Sequence, residues 1–586
     1  MGVKTVAVYS NSDMASIAWE TDNPIPGCRG FALERQVAGA AGQAASGFIN
    51  TWVGFKGEDH TDGESRPSTV WPIQRYIWSD YLVSIGQKAR YRVIPMLGPA
   101  GKLTQAPESE WSDWTRWVSI DTDQTKGFHA YFNRGIVPAQ ALARQANNSK
   151  QFHDMLQKDI NNPGSKNRDF LGGALRSHLL ELLAQAKKSG AKIYAALYEL
   201  NDPELMAALK GIGKNCSLIL ASGAYKAADN KKGTPAEPDE NKASRAVMKK
   251  SVHVFDRLVK SPHFAHNKFV VFCDPQDRPV NLWTGSTNWT VTGLCTQSNN
   301  GILIDSPDLA KAYKTRWDEL RAAGAAYPKP LAQQGSTPAR GTLGDAKLTA
   351  WNAPCNQFVD LKSAKKYIAA ASDGVLFLMF NPGVGDGKKR EKSLIQDILA
   401  LDPNKLFIHG VLNQDPGGKK APLIQLTHKG QQLPAKPLEA ILPKTLKAAG
   451  RKWFRDEFSF NMVMIHSKLV VIDPFGKKPV VMTGSHNMGP KASASNDDNM
   501  VIIENAPDLA AEYAVYVMNV YGHYKWLYNE YLRQQGGSSQ EKDASKQFDG
   551  NQDNDIWQHW YLDGPNRLEI EFWLAGAQQA STANAD

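Results

Sequence analysis

Cysteine is scarce: Cys28, Cys216, Cys273, Cys295 and Cys355 are the five in 586 residues, odd in number and widely scattered. That spacing offers no disulfide framework and no thiolate metal site, and it predicts a reduced, cytoplasmic protein. Long apolar runs are missing as well. Nowhere do about 18 apolar residues follow one another, which argues against a membrane span. The opening Met-Gly-Val-Lys-Thr-Val-Ala-Val-Tyr reads as an alternating strand, without the apolar stretch or cleavage site of a secretory signal. Val6 stands where myristoylation of Gly2 would want Ser or Thr. No Asp/Glu/His cluster has ligand spacing, so neither metal nor cofactor is expected. The excess of positive charge is mild, +9 over the whole chain. It favours an anionic partner, but a solvated surface explains it equally well. No basic–aromatic module of the kind that binds DNA or RNA stands out.

What is present suffices for several domains: 42% hydrophobic residues, with 16 Trp, 18 Tyr and 21 Phe to fill cores. Residues 1–100 read as short alternating strands. Ile17-Ala-Trp19, Gly30-Phe-Ala-Leu-Glu-Arg35 and Tyr91-Arg-Val-Ile94 resemble strands of a fibronectin type III sandwich. Beyond them strands and helices alternate. Ala191–Leu197 and Gly374–Phe380 have the pattern of buried strands, each preceded by a helical segment, Leu179–Lys188 and Leu361–Ala371. This gives halves at 123–330 and 345–535, with 331–344 a linker by composition and 536–586 a polar tail. Within the tail, Trp557–Leu562 and Arg567–Leu574 around Asp563-Gly-Pro-Asn566 predict a β-hairpin.

The informative feature is a repeat about two hundred residues long. His266-x-Lys268 returns as His466-x-Lys468, an offset of 200. Asp274 matches Asp473, Gly285-Ser286-x-Asn288 matches Gly484-Ser485-x-Asn487, and Asn300 matches Asn499, all at 199. Pro307-Asp308-Leu309-Ala310 and Tyr313 then match Pro507-Asp508-Leu509-Ala510 and Tyr513, again at 200. So many identities in one order exclude chance. Phe269–Phe272 and Leu469–Ile472 suit buried strands, and a turn and a second apolar strand lead into each Gly-Ser-x-Asn. Each copy is a hairpin with polar groups at both ends. The extra residue in the first copy predicts a bulge at Cys273.

Doubled, this inventory is a site with two imidazoles and a clamp for an anion. Phosphoryl transfer uses that set: one His attacks phosphorus and the other protonates the departing oxygen. Lys268, Lys468, Asn288 and Asn487 can hold the non-bridging oxygens, and Ser286 and Ser485 can add hydrogen bonds to those oxygens or to the motifs. His-x-Lys-x4-Asp followed by Gly-Ser-x-Asn resembles the signature of the phospholipase D superfamily. The second copy fits it as it stands, and the first has five intervening residues instead of four. The resemblance implies an α/β fold class: two halves about a pseudo-two-fold, the site in the cleft between them, preceded here by the small all-β sandwich. It also implies an acidic residue 13 positions after the motif Ser that orients the catalytic His. Asp498 stands there in the second copy and Asn299 in the first. The expectation is therefore that His466 has a carboxylate behind it and His266 lacks one, which favours His466 as nucleophile and His266 as general acid; the resemblance itself leans the other way, since two-motif enzymes of the family often use the first His, and a general acid gains from a carboxylate too. Asp274 and Asp473 are expected to tie each hairpin to its neighbours.

The implied activity is metal-independent cleavage of a phosphodiester through a covalent phosphohistidine, with an alcohol as a second acceptor beside water. Two copies in one chain resemble bacterial and plant phospholipases D more than the one-motif nucleases, which dimerise. Phospholipid is thus favoured over nucleic acid, with a monomer and peripheral membrane contact; Trp283, Trp289 and Trp453 near the motifs could meet an acyl surface. The +9 charge, and the likeness of Gly285-Ser-Thr-Asn-Trp-Thr290 to the nuclease run, keep a nuclease as the alternative. A non-catalytic phosphate binder would need a lost His or Lys, and none is lost. A cardiolipin-synthase reading is weakened by the missing membrane helices. His129, His253 and His409 read as structural, and His263 has no Lys two positions on. The loop Asn381–Arg390 lacks the Walker order and reads as a basic loop near the cleft, while the matching place in the first half is acidic, with Glu199, Asp202 and Glu204. Because the site needs only the two halves, the sandwich is expected to be separable.

Overall fold

A computed structural model describes residues 2–38, 44–59, 61, 64–121, 125–135, 149–224, 239–413, 438–441, 464–535, 550–563 and 566–583. At the N-terminus two antiparallel sheets pack face to face. One has the order Val3–Ser10, Ala15–Thr21, Ile77–Asp80, and the other Val118–Ser119, Lys88–Leu97, Cys28–Ala38, Ala44–Phe48. Inward residues of both form one core, in which buried Trp19 meets Phe31 edge-on at 5.4 Å.

Two mixed sheets follow. The first runs Phe128–Phe132, Asn300–Ile304, Pro279–Gly285, Lys268–Cys273, Lys192–Leu197, Cys216–Ala221, His253–Arg257. The second runs Ala339–Leu343, Ala346–Ala353, Asn496–Glu504, Val480–Gly484, Lys468–Ile472, Gly374–Met379, Phe407–Leu412, Leu438–Ile441. Helices cover both faces of the motif strands, so Lys268–Cys273 and Lys468–Ile472 are buried at every residue and read as unbroken apolar runs after the lysine. Helix Lys166–Ser189 starts on the Ser165 side chain, which accepts from Asn167 N, and stops at Gly190 with φ 71°. Pro307–Ala323 and Pro507–Gln535 both open with proline, the first behind a Ser306 cap.

The sheets are stitched to each other by matched contacts. Phe264–Ala265 pairs in parallel with Asn496–Asp497, and Gln297–Ser298 with Met464–Ile465. Thr284 Oγ1 donates to Asn499 Oδ1 at 2.6 Å, while Asn300 Nδ2 donates to Thr483 Oγ1 at 2.8 Å. Buried Arg257 grips Asp497 across the same seam, Nε to Oδ2 at 2.8 Å.

Four expectations are corrected. Residues 331–344 are no linker: they lie in helix Lys329–Gly335 and in strand Ala339–Leu343, which turns at Gly344 onto Ala346–Ala353. An edge strand with one wetted face tolerates that polar composition. The tail hairpin is instead a turn of helix at Ile556–Leu562 and a helix over Arg567–Ala583. Leu568, Ile570, Phe572 and Leu574 alternate as a strand would, but Ile570, Trp573 and Leu574 also share a helical face. Packing decides for the helix, with Phe572 stacked on Phe407 at 4.6 Å and Trp573 tilted against Phe475 at 4.9 Å. The bulge lies where the register slips, between Phe272 and Cys273, but the residue left without a partner is Val280 on the return strand. Trp283 and Trp289 are buried in the first half's core and face no surface; Trp453 lies outside the described residues. All five cysteines are buried and none forms a disulfide.

Candidate active site

Each motif histidine sits where a short strand of its own half has crossed onto the other half. His266 N donates to Asp497 O at 2.9 Å, and His466 N donates to Ser298 O at 3.1 Å. The rings then meet residues of the opposite half. His266 Nδ1 is 2.8 Å from Asp498 Oδ1, and His466 Nδ1 is 3.0 Å from Asn299 Oδ1. This reverses the expected pairing: the carboxylate of the second copy stands behind the histidine of the first. The offset in sequence is right, but the strand crossing exchanges the partners. Because Asp498 and the Asn299 carbonyl can only accept, both rings carry the proton on Nδ1, leaving Nε2 for chemistry.

The serines serve these partners. Ser485 Oγ donates to Asp498 Oδ1 at 2.7 Å and Ser286 Oγ to Asn299 Oδ1 at 2.8 Å. Both are fully buried, and these bonds fix the orienting side chains. Asn299 Nδ2 donates to Gly293 O at 2.9 Å, which turns its carbonyl toward His466. The glycine before each serine is required by space. A Cβ on Gly285 would lie 2.3 Å from Asn300 O, and one on Gly484 2.3 Å from Asn499 O.

Lys268 Nζ donates to His266 O at 2.7 Å and Lys468 Nζ to His466 O at 2.5 Å. Asn288 Nδ2 donates to Glu199 Oε2 at 2.7 Å. The Oδ1 atoms of Asn288 and Asn487 are buried and have no hydrogen-bond partner among the described residues. Asp473 sits away from the cleft and caps three backbone amides, Ser372, Asp373 and Gly374, at 2.8–2.9 Å. Asp274 closes its own turn, accepting from Arg278 N and Nε. Of the acidic trio, Asp202 and Glu204 are taken up by buried Arg168 and by Arg176, so Glu199 alone faces the site. His129 pairs with Asp305, and His263 stacks on Tyr327, both outside the cleft. A buried pair that sequence reasoning misses lies behind the second motif: His486 Nε2 is 3.1 Å from Asp360 Oδ2.

Four basic groups share this dry space, and their charge is suppressed. Burial, then Lys268, pulls His266 down to about 4 although Asp498 opposes. His466 is held well below its ordinary value by burial and by Lys468 and Lys268. Burial lowers Lys268 to about 7 against Asp498 and Glu199, and Lys468 is held well below its ordinary value by burial and by Lys268. Glu199 rises to about 7, through burial first and Glu240 second. Such a site takes an anion readily, since one negative charge favours the protonated form of each of the four groups. Among the described residues, no group of three or more His, Cys, Asp or Glu is placed to hold a metal ion.

Known proteins bear on this arrangement. The family described as "Cardiolipin synthase, PLD-like domain" matches residues 179–321 and 364–520, one stretch in each half. No curated protein matches the chain. Among solved structures, the polyphosphate kinase of Porphyromonas gingivalis is 12% identical with a TM-score of 0.37, over 59% of this chain and 48% of that one. Phosphatidylserine synthase of Haemophilus influenzae is 13% identical with a TM-score of 0.38, over 68% and 93%. The phospholipase D family member Nuc of Salmonella typhimurium is 20% identical with a TM-score of 0.20, over 27% and 93%. The two family stretches together span about half of the chain, and the protein therefore belongs to the cardiolipin synthase, PLD-like domain family.

Proposed function

We propose that this protein cleaves the phosphodiester of a phospholipid through a phosphohistidine, which water or a primary alcohol then resolves. The reciprocal anchoring of the two imidazoles carries the reading: each Nδ1 is held from the opposite half. His266 is the nucleophile. A depressed pKa keeps it neutral, and donation of its Nδ1 proton to Asp498 makes Nε2 electron-rich. Attack forms the N–P bond as the bond from phosphorus to the leaving oxygen breaks, and that oxygen takes a proton from His466 Nε2. The bound diester supplies the condition for this, since its charge offsets Lys268 and Lys468 and lets the imidazolium form. In the second step His466 takes the proton of water or alcohol, the new oxygen attacks phosphorus, and His266 is released. Both lysines, Asn288 and Asn487 hold the non-bridging oxygens. The favoured nucleophile is thus the opposite of the one the sequence suggests, by the same argument applied to the other ring.

Phospholipid is preferred because both motif copies lie in one chain and the family's description names a lipid enzyme. The same reading makes the protein a monomer. Among the described residues no helix is long and apolar enough to cross a membrane. The N-terminal sandwich fits a fibronectin type III-like domain: a three-stranded sheet faces a five-stranded one whose fifth strand is the two-residue Thr104–Gln105, with Trp19 in the second strand and Tyr91 in Lys88–Leu97.

The test incubates purified protein with labelled phospholipid and a primary alcohol, beside DNA and RNA, all in EDTA. A phosphatidyl-alcohol product and undiminished turnover in EDTA are expected. Cleavage of nucleic acid alone selects the nuclease, and tight phosphate binding without any cleavage selects a non-catalytic module.

A further inference from the structure

One aromatic ring lies against both functional side chains of each half. Tyr198 meets the His266 ring edge-on at 4.8 Å and 64°, and Lys268 Nζ sits 4.9 Å from the centre of the same ring. Phe380 meets His466 at 4.9 Å and 60°, with Lys468 Nζ at 4.8 Å. The two arrangements agree closely although no sequence identity links Tyr198-Glu-Leu-Asn201 with Phe380-Asn-Pro-Gly383. Strand pairing produces the match. Leu197 is the register partner of Lys268 and Met379 that of Lys468, so each ring is one residue past the strand that flanks the motif.

We propose that Tyr198 and Phe380 are positioning residues for the reaction, each ring face favouring the charged form of its motif lysine in a dry cleft while the steep ring-on-ring contact fixes the neighbouring imidazole. The face of an aromatic ring carries negative potential and attracts an ammonium, most strongly where water is excluded. Both lysines are almost wholly buried, and each donates to a neutral carbonyl. The other charges that act on Lys268 are Asp498 and Glu199, which favour its charged form, and it lies beside Lys468 and His266; Lys468 meets the same two carboxylates with Lys268 and His466. Glu199 is itself opposed by Glu240, so counter-charge is short and the ring supplies what a full ion pair would. The hydroxyl of Tyr198 is dispensable for this role, since Phe380 does the same without one.

The proposal rests on the reading of the cleft as a phosphate site, and the experiment separates the two. Affinity for tungstate, an anion that does not titrate in the range used, is measured by calorimetry across pH, with kcat/KM followed in parallel. In the native protein both decline as the pH rises through the lysine values. Tyr198→Leu and Phe380→Leu should move that decline to lower pH by about 0.5–1.5 units, while Tyr198→Phe and Phe380→Tyr leave it in place. Should either leucine variant fail to fold, fluorinated phenylalanines at position 380 keep the shape and drain the ring face. Affinity should then drop stepwise with each fluorine. A decline that stays at its native pH in folded leucine variants, or affinity indifferent to fluorination, overturns the proposal. Native protein that binds no tungstate at any pH overturns the phosphate reading instead.

Discussion

The two halves of the cleft share one frame, and three of the places at which they differ bear on the chemistry. The first has Tyr198, Glu199 and Asn299 where the second has Phe380, Asn381 and Asp498. Taken half by half, His466 is the better equipped histidine, with a carboxylate 13 residues after the serine of its own copy. Across the seam, however, it is His266 that receives that carboxylate. A half of this molecule therefore cannot be judged from its own residues, because its chemistry is completed by the other. A further contrast concerns cover. The second half leans on the N-terminal sandwich and the tail: Tyr9 packs on Phe475 at 4.2 Å and donates to Trp573 O at 2.9 Å, while Trp557 Nε1 donates to Cys28 O at 3.0 Å. Much of the first half's core, by comparison, is closed by its own helices.

The largest effect should come from stripping that cover. A chain beginning at Asp121 exposes Phe475 and Trp573, the partners of Tyr9, and Trp557, the partner of Phe31 and Tyr76, apolar surface worth on the order of several kcal/mol. It is expected to lose its cooperative thermal transition, contrary to the separability suggested by the repeat; a soluble chain with a native-like melt would break the contrast.

Next come the histidines, tested with a nitrophenyl diester whose leaving group needs no protonation. His266→Ala should abolish the burst of nitrophenolate, a loss of at least about a thousandfold, while His466→Ala preserves it. The reverse pattern would return the nucleophile to His466, and a burst in both variants would exclude a phosphohistidine.

The orienting residues should follow the same asymmetry on a smaller scale. Asp498→Asn is expected to lower kcat/KM by about a hundredfold and Asn299→Ala by about tenfold. Equal losses would mean that the carboxylate confers no distinction between the rings.

Stability should record the burial of His266. Its folded value, about 4, lies below the ordinary 6.5, so between those values the unfolded chain binds the extra proton. Stability therefore falls as the pH drops from 6.5 to 4, by on the order of 3 kcal/mol from this group. His266→Gln should flatten that slope in denaturant melts taken across pH. The smallest signal is a proton count. Lys268 is lowered to about 7, so phosphate binding near neutrality should draw up part of a proton, seen as a buffer-dependent heat that Lys268→Met diminishes.

Much of this is legible in the chain. The motif strands announce themselves because they are buried on both faces and must be apolar along their length, and the polar ends stand out against them. The tail misleads because Leu568 to Leu574 satisfies both periods over so short a span, and only Phe407 and Phe475 choose between them. Residues 331–344 mislead because an edge strand resembles a loop in composition. The aromatic platforms give no signal, since Tyr198 and Phe380 belong to no motif and are placed by register alone.

The sequence by itself determined which groups do the chemistry. Two imidazoles, two ammonium groups and two carboxamides recur in a fixed order, and their spacing along a hairpin is a local matter that backbone geometry settles. Only the tertiary structure decided which of them act together. Phe264–Ala265 and Gln297–Ser298 each pair in parallel with a strand of the opposite half, and parallel pairing brings together residues more than 160 positions apart. Asp498 thereby reaches His266 rather than His466, a partnership set by chain crossing that no count along the sequence can reveal.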